Sequence, residues 1–337
     1  MNRVDSQSQK SHIRHGVSAL VLAPMEGIVD ATMREVLTQS GAYSFCVSEF
    51  LRVSRNPHSA KSIRSHIPEL TDRGCATPSG TPVQLQLLGG EPECLAATAL
   101  RAAQIGVTSI DLNFGCPAKT VNRNDGGATL LKYPHRIKEI VRSVREAVPS
   151  EIPVSAKLRL GWESMDSIFQ NAQMAQDGGA SWVTIHARTK EQGYRPPAHW
   201  KILGEVKSQL KIPVVANGEI WTLDHFKQCR DETGCEHFML GRGALGNPSL
   251  ALSIASELGL RTSTDLVNLS PALPAVWVPW FELFSRVSHS RGLHEGYAVA
   301  RMKMWARLAR VHWDLPWFDQ IKDQAAVAGL LSELNKY

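Results

Sequence analysis

Short apolar segments alternate with longer amphipathic segments along most of the chain. Apolar runs of about four to eight residues favour buried β-strands, and apolar residues at i, i+3 and i+4 favour helices. The predicted strands cover residues 18–23, 43–47, 83–88, 109–112, 154–158, 182–186, 213–216 and 236–240. The predicted helices cover residues 30–37, 92–104, 134–147, 167–177, 200–210 and 223–230. This alternation predicts an α/β fold of parallel βαβ units, and eight units over about 230 residues fit a (β/α)₈ TIM barrel.

The residues that end the predicted strands support a barrel. Most strands end in a polar residue or a glycine, as at Asn113, Lys157, His186 and Asn217, and the carboxyl-terminal rim of a barrel is where functional side chains gather. A doubly wound sheet is the alternative fold. It would favour Gly-x-Gly-x-x-Gly after the first strand, where Gly27 stands alone.

The pattern changes after residue 258. Residues 259–279 are rich in proline and predict a linker, and only helical patterns follow, at 280–291, 295–311 and 316–334. We therefore predict a polar tail at 1–17, a barrel domain at 18–258 and a small helical domain at 280–337. Residues 52–79 are predicted to form a long loop with one short helix.

Composition narrows the class of protein. The 337 residues are 43% hydrophobic and 20% charged, which predicts a folded chain with a large core. The net charge of +5 is compatible with an anionic partner. None of the six cysteines forms a Cys-x-x-Cys pair, so we expect neither a metal site nor a disulfide framework. With no signal-peptide pattern and no apolar run of about 18 residues, we expect a cytoplasmic protein without a membrane segment.

One cysteine lies where chemistry is expected. The predicted fourth strand breaks at Phe114-Gly115-Cys116-Pro117, so the Cys116 thiol is held on a turn just past a strand end. A buried structural cysteine is the competing interpretation, because free cysteines are often buried.

Six motifs in register resemble the tRNA-dihydrouridine synthases. They are Ala-Pro-Met-Glu-Gly at 23–27, Asn-Phe-Gly-Cys-Pro at 113–117, Lys-Leu-Arg at 157–159, His-Ala-Arg-Thr at 186–189, Ala-Asn-Gly-Glu at 216–219 and Gly-Arg-Gly at 241–243. The resemblance runs from about residue 20 to the C-terminal helices. It is strongest to the DusC subfamily, which acts on uridine 16, through residues 23–27, 189–194 and 217–221.

The resemblance implies a barrel that binds FMN, uses NADPH as reductant and reduces the C5=C6 bond of uridine in tRNA. It assigns the catalytic acid to Cys116 and places Lys157 by the N1/O2 edge of the flavin. The implied cofactor-binding residues are Pro24, Met25, Glu26, Gln86, Lys157, His186, Asn217, Gly218, Glu219, Gly241 and Arg242. The loops after strands 7 and 8 would hold the phosphate, as barrels often do. Each of these cofactor roles has an alternative. Lys157 could form an internal ion pair, His186 could be a histidine of the core, and the loops after strands 7 and 8 could be ordinary turns.

The implied tRNA contacts lie on the barrel and in the helical domain. They are Arg52, Asn113, Tyr194, Arg301, Lys303 and Lys322. Residues 286–310 hold six basic side chains against one acidic one, and Lys303, Arg307 and Arg310 share a helix face, which favours phosphate contacts over a merely solvated face. Trp305 lies on an apolar stripe, so we predict that it packs in the core. A monomer is expected.

Two other functions compete with this interpretation. One is a flavin-dependent dehydrogenase of small pyrimidines, against which the basic helical domain argues. The other is a non-catalytic tRNA-binding module, against which the presence of both Cys116 and Lys157 argues.

Overall fold

Eight parallel strands close into a barrel in sequence order. The computed structural model describes residues 12–260 and 270–336. The strands are β1 (Ala19–Leu22), β2 (Phe45–Arg52), β3 (Val83–Leu88), β4 (Ile110–Asn113), β5 (Val154–Arg159), β6 (Val183–His186), β7 (Val214–Asn217) and β8 (His237–Leu240). Each strand pairs with the next, and β8 pairs with β1. The predicted barrel is confirmed.

Helices surround the barrel and connect its strands. They are α1 (Ala31–Thr38), α2 (Ala60–His66), α3 (Glu69–Asp72), α4 (Pro92–Gln104), α5 (Lys119–Asn122), α6 (Pro134–Ala147), α7 (Ser167–Asp177), α8 (Trp200–Gln209), α9 (Leu223–Thr233), α10 (Arg242–Gly246) and α11 (Leu250–Glu257). A 3₁₀ turn covers Gly127–Lys132. Asp30 caps α1 by accepting a hydrogen bond from the backbone N–H of Met33, as its position before the helix predicts.

Strand β2 is longer than its apolar pattern predicts. It continues to Arg52 through a shift in register between Val47 and Phe50. The buried Ser48 hydroxyl accepts from the backbone N–H of Gln86 and donates to the carbonyl of Glu49, so a polar residue is tolerated inside the strand. Beyond β2, the region predicted as a loop with one short helix contains two, α2 and α3.

The C-terminal region is helical, with one prediction wrong. It contains a 3₁₀ turn (Pro274–Val276), α12 (Val278–Ser290), α13 (Glu295–Ala309), α14 (Phe318–Ile321) and α15 (Val327–Leu334). The single helix predicted at 316–334 is therefore two shorter helices. The chain is extended at Ala326, and the Glu295 carboxylate accepts from the N–H of Val327, which starts a new helix there.

Tryptophans form the core of the helical region and attach it to the barrel. Trp277, Trp305 and Trp317 are buried, and Trp277 lies 5.9 Å from Trp305 and 5.5 Å from Trp317 between ring centroids. The indole N–H of Trp305 donates to the carbonyl of Leu245 in α10. The prediction that Trp305 packs in the core is confirmed.

A second set of contacts joins the helical region to the start of the barrel. Arg291 forms an ion pair with Glu35 of α1 at 2.6 Å. The Tyr297 hydroxyl donates to the carboxylate of Asp30 at 2.7 Å. Arg301 donates to the backbone carbonyls of the loop between β1 and α1. The helical region is therefore fixed beside the loop that connects these two elements.

The end of the predicted tail packs against the barrel. Ile13 is buried, and the His12 ring stacks on Phe45 with 5.1 Å between centroids. Residues 1–11 of the tail and 261–269 of the predicted linker lie outside the described residues. In the described ranges, no helix has the length and apolar character needed to cross a membrane.

Candidate active site

A cavity of about 520 Å³ opens at the carboxyl ends of the strands. Cofactor pockets commonly measure roughly 300–1,000 Å³. Cys116 and all the predicted cofactor-binding residues line it, namely Pro24, Met25, Glu26, Gln86, Lys157, His186, Asn217, Gly218, Glu219, Gly241 and Arg242. Side chains far apart in the sequence thus share one site because parallel strands end at the same rim of a barrel.

Hydrogen bonds hold the loop that carries Cys116. The Oδ1 atom of Asn113 accepts from the backbone N–H groups of Gly115 and Cys116, both at 2.9 Å. The Asn122 amide donates to the Cys116 carbonyl at 3.1 Å. A Cβ at Gly127 would lie 2.9 Å from that carbonyl oxygen, so this close approach needs glycine.

The environment of Cys116 suits a protonated thiol at the wall of a cavity. Cys116 and Cys94 are partly exposed, whereas the other four cysteines are buried, and of the two only Cys116 lines the cavity. This difference favours the reactive interpretation over the structural one. Burial raises the pKa of the Cys116 thiol above its usual value, so the group keeps its proton at neutral pH.

Lys157 is partly buried, and its hydrogen bond goes to an amide rather than to a carboxylate. Its Nζ atom donates to Oδ1 of Asn217 at 3.2 Å, and the Asn217 amide donates to the carbonyl of Met239 at 2.8 Å. Burial, together with the positive charge of Arg159, lowers the pKa of Lys157 to about 8. An ammonium in this place can still be charged at pH 7 and would gain from a negatively charged ligand.

The loops after β7 and β8 contact each other, and the positively charged side chain of Arg242 follows β8. A Cβ at Gly243 would lie 1.9 Å from the carbonyl oxygen of Ile220, so the two loops meet backbone to backbone. Arg242 lies 3.5 Å from the Glu219 carboxylate, and its guanidinium is 4.6 Å from the ring centroid of Tyr194. The turn after β8 thus places a positive group at the wall of the cavity.

His186 is a neutral imidazole among cations. Burial lowers its pKa well below the usual value, and Arg159, Lys157 and other nearby cations lower it further. Within the described ranges, its Nδ1 atom has no hydrogen-bond partner although it is buried. Because His186 also lines the cavity, this unpaired atom is available to bond a ligand there.

Arg159 also lines the cavity, although the sequence motifs gave it no role. It donates from Nε to the carbonyl of Gly115 at 2.8 Å, and from Nη1 to the carbonyls of Thr189 at 3.1 Å and Gly193 at 2.9 Å. It therefore ties the Cys116 loop to the loop after β6. The two-residue alternation of a strand could have revealed it, because Arg159 shares a face with Lys157.

The predicted tRNA contacts do not form one cluster. Asn113 and Tyr194 line the cavity, and Arg52 is exposed with Nη2 3.5 Å from the carbonyl of Thr120, close to the Cys116 loop. Lys303 lies on α13 outside the cavity, and Lys322 forms an exposed ion pair with its neighbour Asp319 at 3.1 Å.

Arg301 differs from the other predicted contacts because its side chain is only 13% exposed. It forms an ion pair with Asp30 at 3.1 Å and donates to the carbonyls of Gly27, at 2.7 Å, and Ile28. Its contacts are thus largely within the protein.

In the described part of the chain, no group of three or more His, Cys, Asp or Glu side chains could hold a metal ion.

Comparison with known proteins identifies the family. Residues 21–265 match the family model described as "Dihydrouridine synthase (Dus)". The chain belongs to the dihydrouridine synthase family. A relative from Aquipseudomonas alcaligenes, "tRNA-dihydrouridine(16) synthase", is 45% identical over 296 residues, covering 87% of this chain and 91% of the relative. One of the same name from Haemophilus influenzae is 40% identical over 325 residues, covering 94% and 99%. The resemblance inferred from the motifs is confirmed.

Similarity to solved structures shows the fold alone, because the sequence identities are low. A 2-naphthoyl-CoA reductase matches with a TM-score of 0.55 and 11% identity, over 71% of this chain and 50% of that one. An old yellow enzyme homologue from Zymomonas mobilis matches with a TM-score of 0.50 and 14% identity, over 74% and 91%.

Proposed function

We propose that this dihydrouridine synthase reduces the C5=C6 bond of uridine 16 in the D-loop of tRNA to 5,6-dihydrouridine, with FMN as bound cofactor and NADPH as reductant. The observation that carries the proposal is the position of the Cys116 thiol on the wall of a cavity that also holds Lys157 and the loops after β7 and β8. The names of the relatives support tRNA as the substrate and position 16 as the target.

The residues of the cavity fit FMN. Arg242 offers a positive charge to a phosphate, and Gly218 and Gly241 let the backbone approach it closely. His186 offers the unpaired Nδ1 atom, and Lys157 offers an ammonium to the polar edge of a ring. When bound, FMN would supply the hydride that adds to C6 of the uracil.

Cys116 would supply the proton that C5 then requires. Its raised pKa keeps the thiol protonated at neutral pH, as a general acid must be before transfer. The S–H bond breaks, the proton goes to C5, and the thiolate recovers a proton from solvent. The hydrogen bonds from the loop to Asn113 hold the thiol at the cavity while this happens.

The uridine must leave the RNA stack to reach this thiol. Asn113 and Tyr194, which lie at the cavity, would contact the extruded base, while Arg52 and Lys303 would contact the RNA around it. Tyr194 is 51% exposed, so part of its ring is accessible to a base.

Purified protein tests the proposal directly. It should be yellow, retain non-covalent FMN and, with NADPH, convert uridine 16 in unmodified tRNA transcripts while leaving free uracil unchanged. A protein that cannot be reconstituted with FMN would contradict the cofactor assignment. Reduction of free uracil at a rate similar to tRNA would favour a dehydrogenase of small pyrimidines instead.

A further inference from the structure

A buried carboxylate lies beneath the Cys116 loop. Asp111 of β4 is 2% exposed and has no assigned role in the reaction. Its Oδ2 atom accepts from Nε2 of Gln86 at 2.7 Å, and its Oδ1 atom accepts from the hydroxyl of Ser155 at 2.5 Å. The carboxylate is thus paired on both oxygens, by neighbours on β3 and β5.

The hydrogen bonds continue from Gln86 to the cysteine loop. The Oε1 atom of Gln86 accepts from Nδ2 of Asn113 at 2.8 Å. The Oδ1 atom of Asn113 then accepts from the backbone N–H groups of Gly115 and Cys116. Two side-chain amides therefore connect the Asp111 carboxylate to the backbone that carries the thiol; we call these two side chains the amide relay.

The amide relay has a fixed direction. An ionised carboxylate only accepts hydrogen bonds, so the NH₂ group of Gln86 must face Asp111 and its oxygen must face Asn113. The NH₂ group of Asn113 must then face Gln86, which leaves its oxygen for the two loop N–H groups. Rotating either amide by 180° would place donor against donor or acceptor against acceptor in a buried place.

We propose that Asp111 is a positioning residue whose carboxylate, acting through Gln86 and Asn113, holds the Cys116 loop in the conformation that keeps the thiol at the cavity. The effect on the loop is independent of the reaction, whereas its catalytic consequence rests on the proposed function. Asp111 itself touches neither the thiol nor, on this account, the substrate.

Three variants separate the amide relay from general packing. Asp111→Leu keeps the branched shape but removes the acceptor. Asp111→Asn can still turn its oxygen toward Gln86 and so preserves the direction of the relay. Ser155→Ala is the matched control, because it removes the other hydrogen bond to the same carboxylate, at a side chain that is also buried, without entering the relay.

Hydrogen–deuterium exchange of the loop amides provides a readout that does not require activity. In Asp111→Leu, exchange at Gly115 and Cys116 should be roughly fivefold faster than in the wild type, the effect of losing about one hydrogen bond. Asp111→Asn and Ser155→Ala should exchange within about twofold of the wild type. Gln86→Met breaks the relay one link later and should loosen the same two amides, which keeps the test valid if Asp111→Leu does not fold.

Steady-state kinetics give the second readout. In Asp111→Leu, kcat for dihydrouridine formation should fall while KM for tRNA rises little, because the thiol is misplaced and, of the proposed RNA contacts, only Asn113 belongs to the relay. Unchanged exchange at Gly115 and Cys116 in both Asp111→Leu and Gln86→Met would overturn the proposal. Equal loosening in Ser155→Ala would also overturn it, since packing alone would then explain the effect. If the wild type forms no dihydrouridine, the proposed function fails while the exchange result still decides the role of Asp111.

Discussion

Replacing Arg301 with alanine tests whether this side chain stabilises the folded protein or binds tRNA. From the sequence, Arg301 and Lys303 are equivalent tRNA contacts on one helix. In the structure, Arg301 donates to the carbonyls of Gly27 and Ile28 and pairs with Asp30, all in the loop between β1 and α1. We therefore expect Arg301→Ala to release the helical region from that loop.

The size of the effect follows from these contacts. Hydrogen bonds from a charged group contribute about 1.5–3 kcal/mol each when buried, and the 13% exposure of Arg301 argues for the lower end of that range. Two such bonds predict a loss of about 3 kcal/mol in the free energy of unfolding. For a chain of 337 residues, this should lower Tm by roughly 4 °C in a thermal melt.

Lys303→Ala provides the matched control on the same helix. No hydrogen bond or ion pair of Lys303 is seen in the ranges 12–260 and 270–336, so its loss should change stability by no more than about 0.5 kcal/mol. It should instead weaken tRNA binding and reduce the salt slope of log Kd by about one.

Arg301→Ala should also weaken FMN retention, because Met25 and Glu26 of the released loop line the cavity. An Arg301→Ala protein with wild-type Tm and FMN content but weaker tRNA binding would refute this reasoning.

Changes in the cavity and at the bottom of the barrel give three more tests. Cys116→Ala should bind FMN and be reduced by NADPH, yet form dihydrouridine about 10²–10⁴-fold more slowly in single-turnover assays; wild-type turnover would rule out Cys116 as the acid. Arg242→Ala should lose FMN during gel filtration, and full retention would contradict a phosphate contact. Burial lowers the pKa of His12 to about 4, so as pH falls from 6.5 to 4 only the unfolded chain gains that proton and stability drops. His12→Phe keeps the stacking on Phe45 and should flatten this dependence in denaturant titrations; an unchanged slope would contradict it.

The sequence predicted the repeating strand–helix units of the barrel. Helices α4, α6 and α7 begin and end where their apolar spacing indicates, because each buries one stripe against a strand. Strand β2 did not follow its pattern, since hydrogen bonds of Ser48 satisfy a polar residue inside the strand. The break before α15 also escaped prediction, because it depends on Glu295, which is distant in sequence.

The site was predicted as a set of residues but not as a network. Every cofactor residue predicted from the sequence lies on one cavity, because the strand ends converge on one rim. They could not reveal that Arg159 ties two loops together or that Asp111 lies behind the cysteine loop, since both depend on partners from other strands. They also grouped Arg301 with Lys303, because residues on one helix look alike until their tertiary contacts are known.

The central claim is that the Cys116 cavity reduces one uridine of tRNA, at position 16. The most direct measurement maps dihydrouridine by position in tRNA from cells that lack this gene, with the wild-type gene and Cys116→Ala supplied on a plasmid. The account predicts loss at position 16 alone, restored by the wild-type gene and not by Cys116→Ala. Loss at position 20 with position 16 intact would contradict the assigned target, and an unchanged map would contradict the function itself.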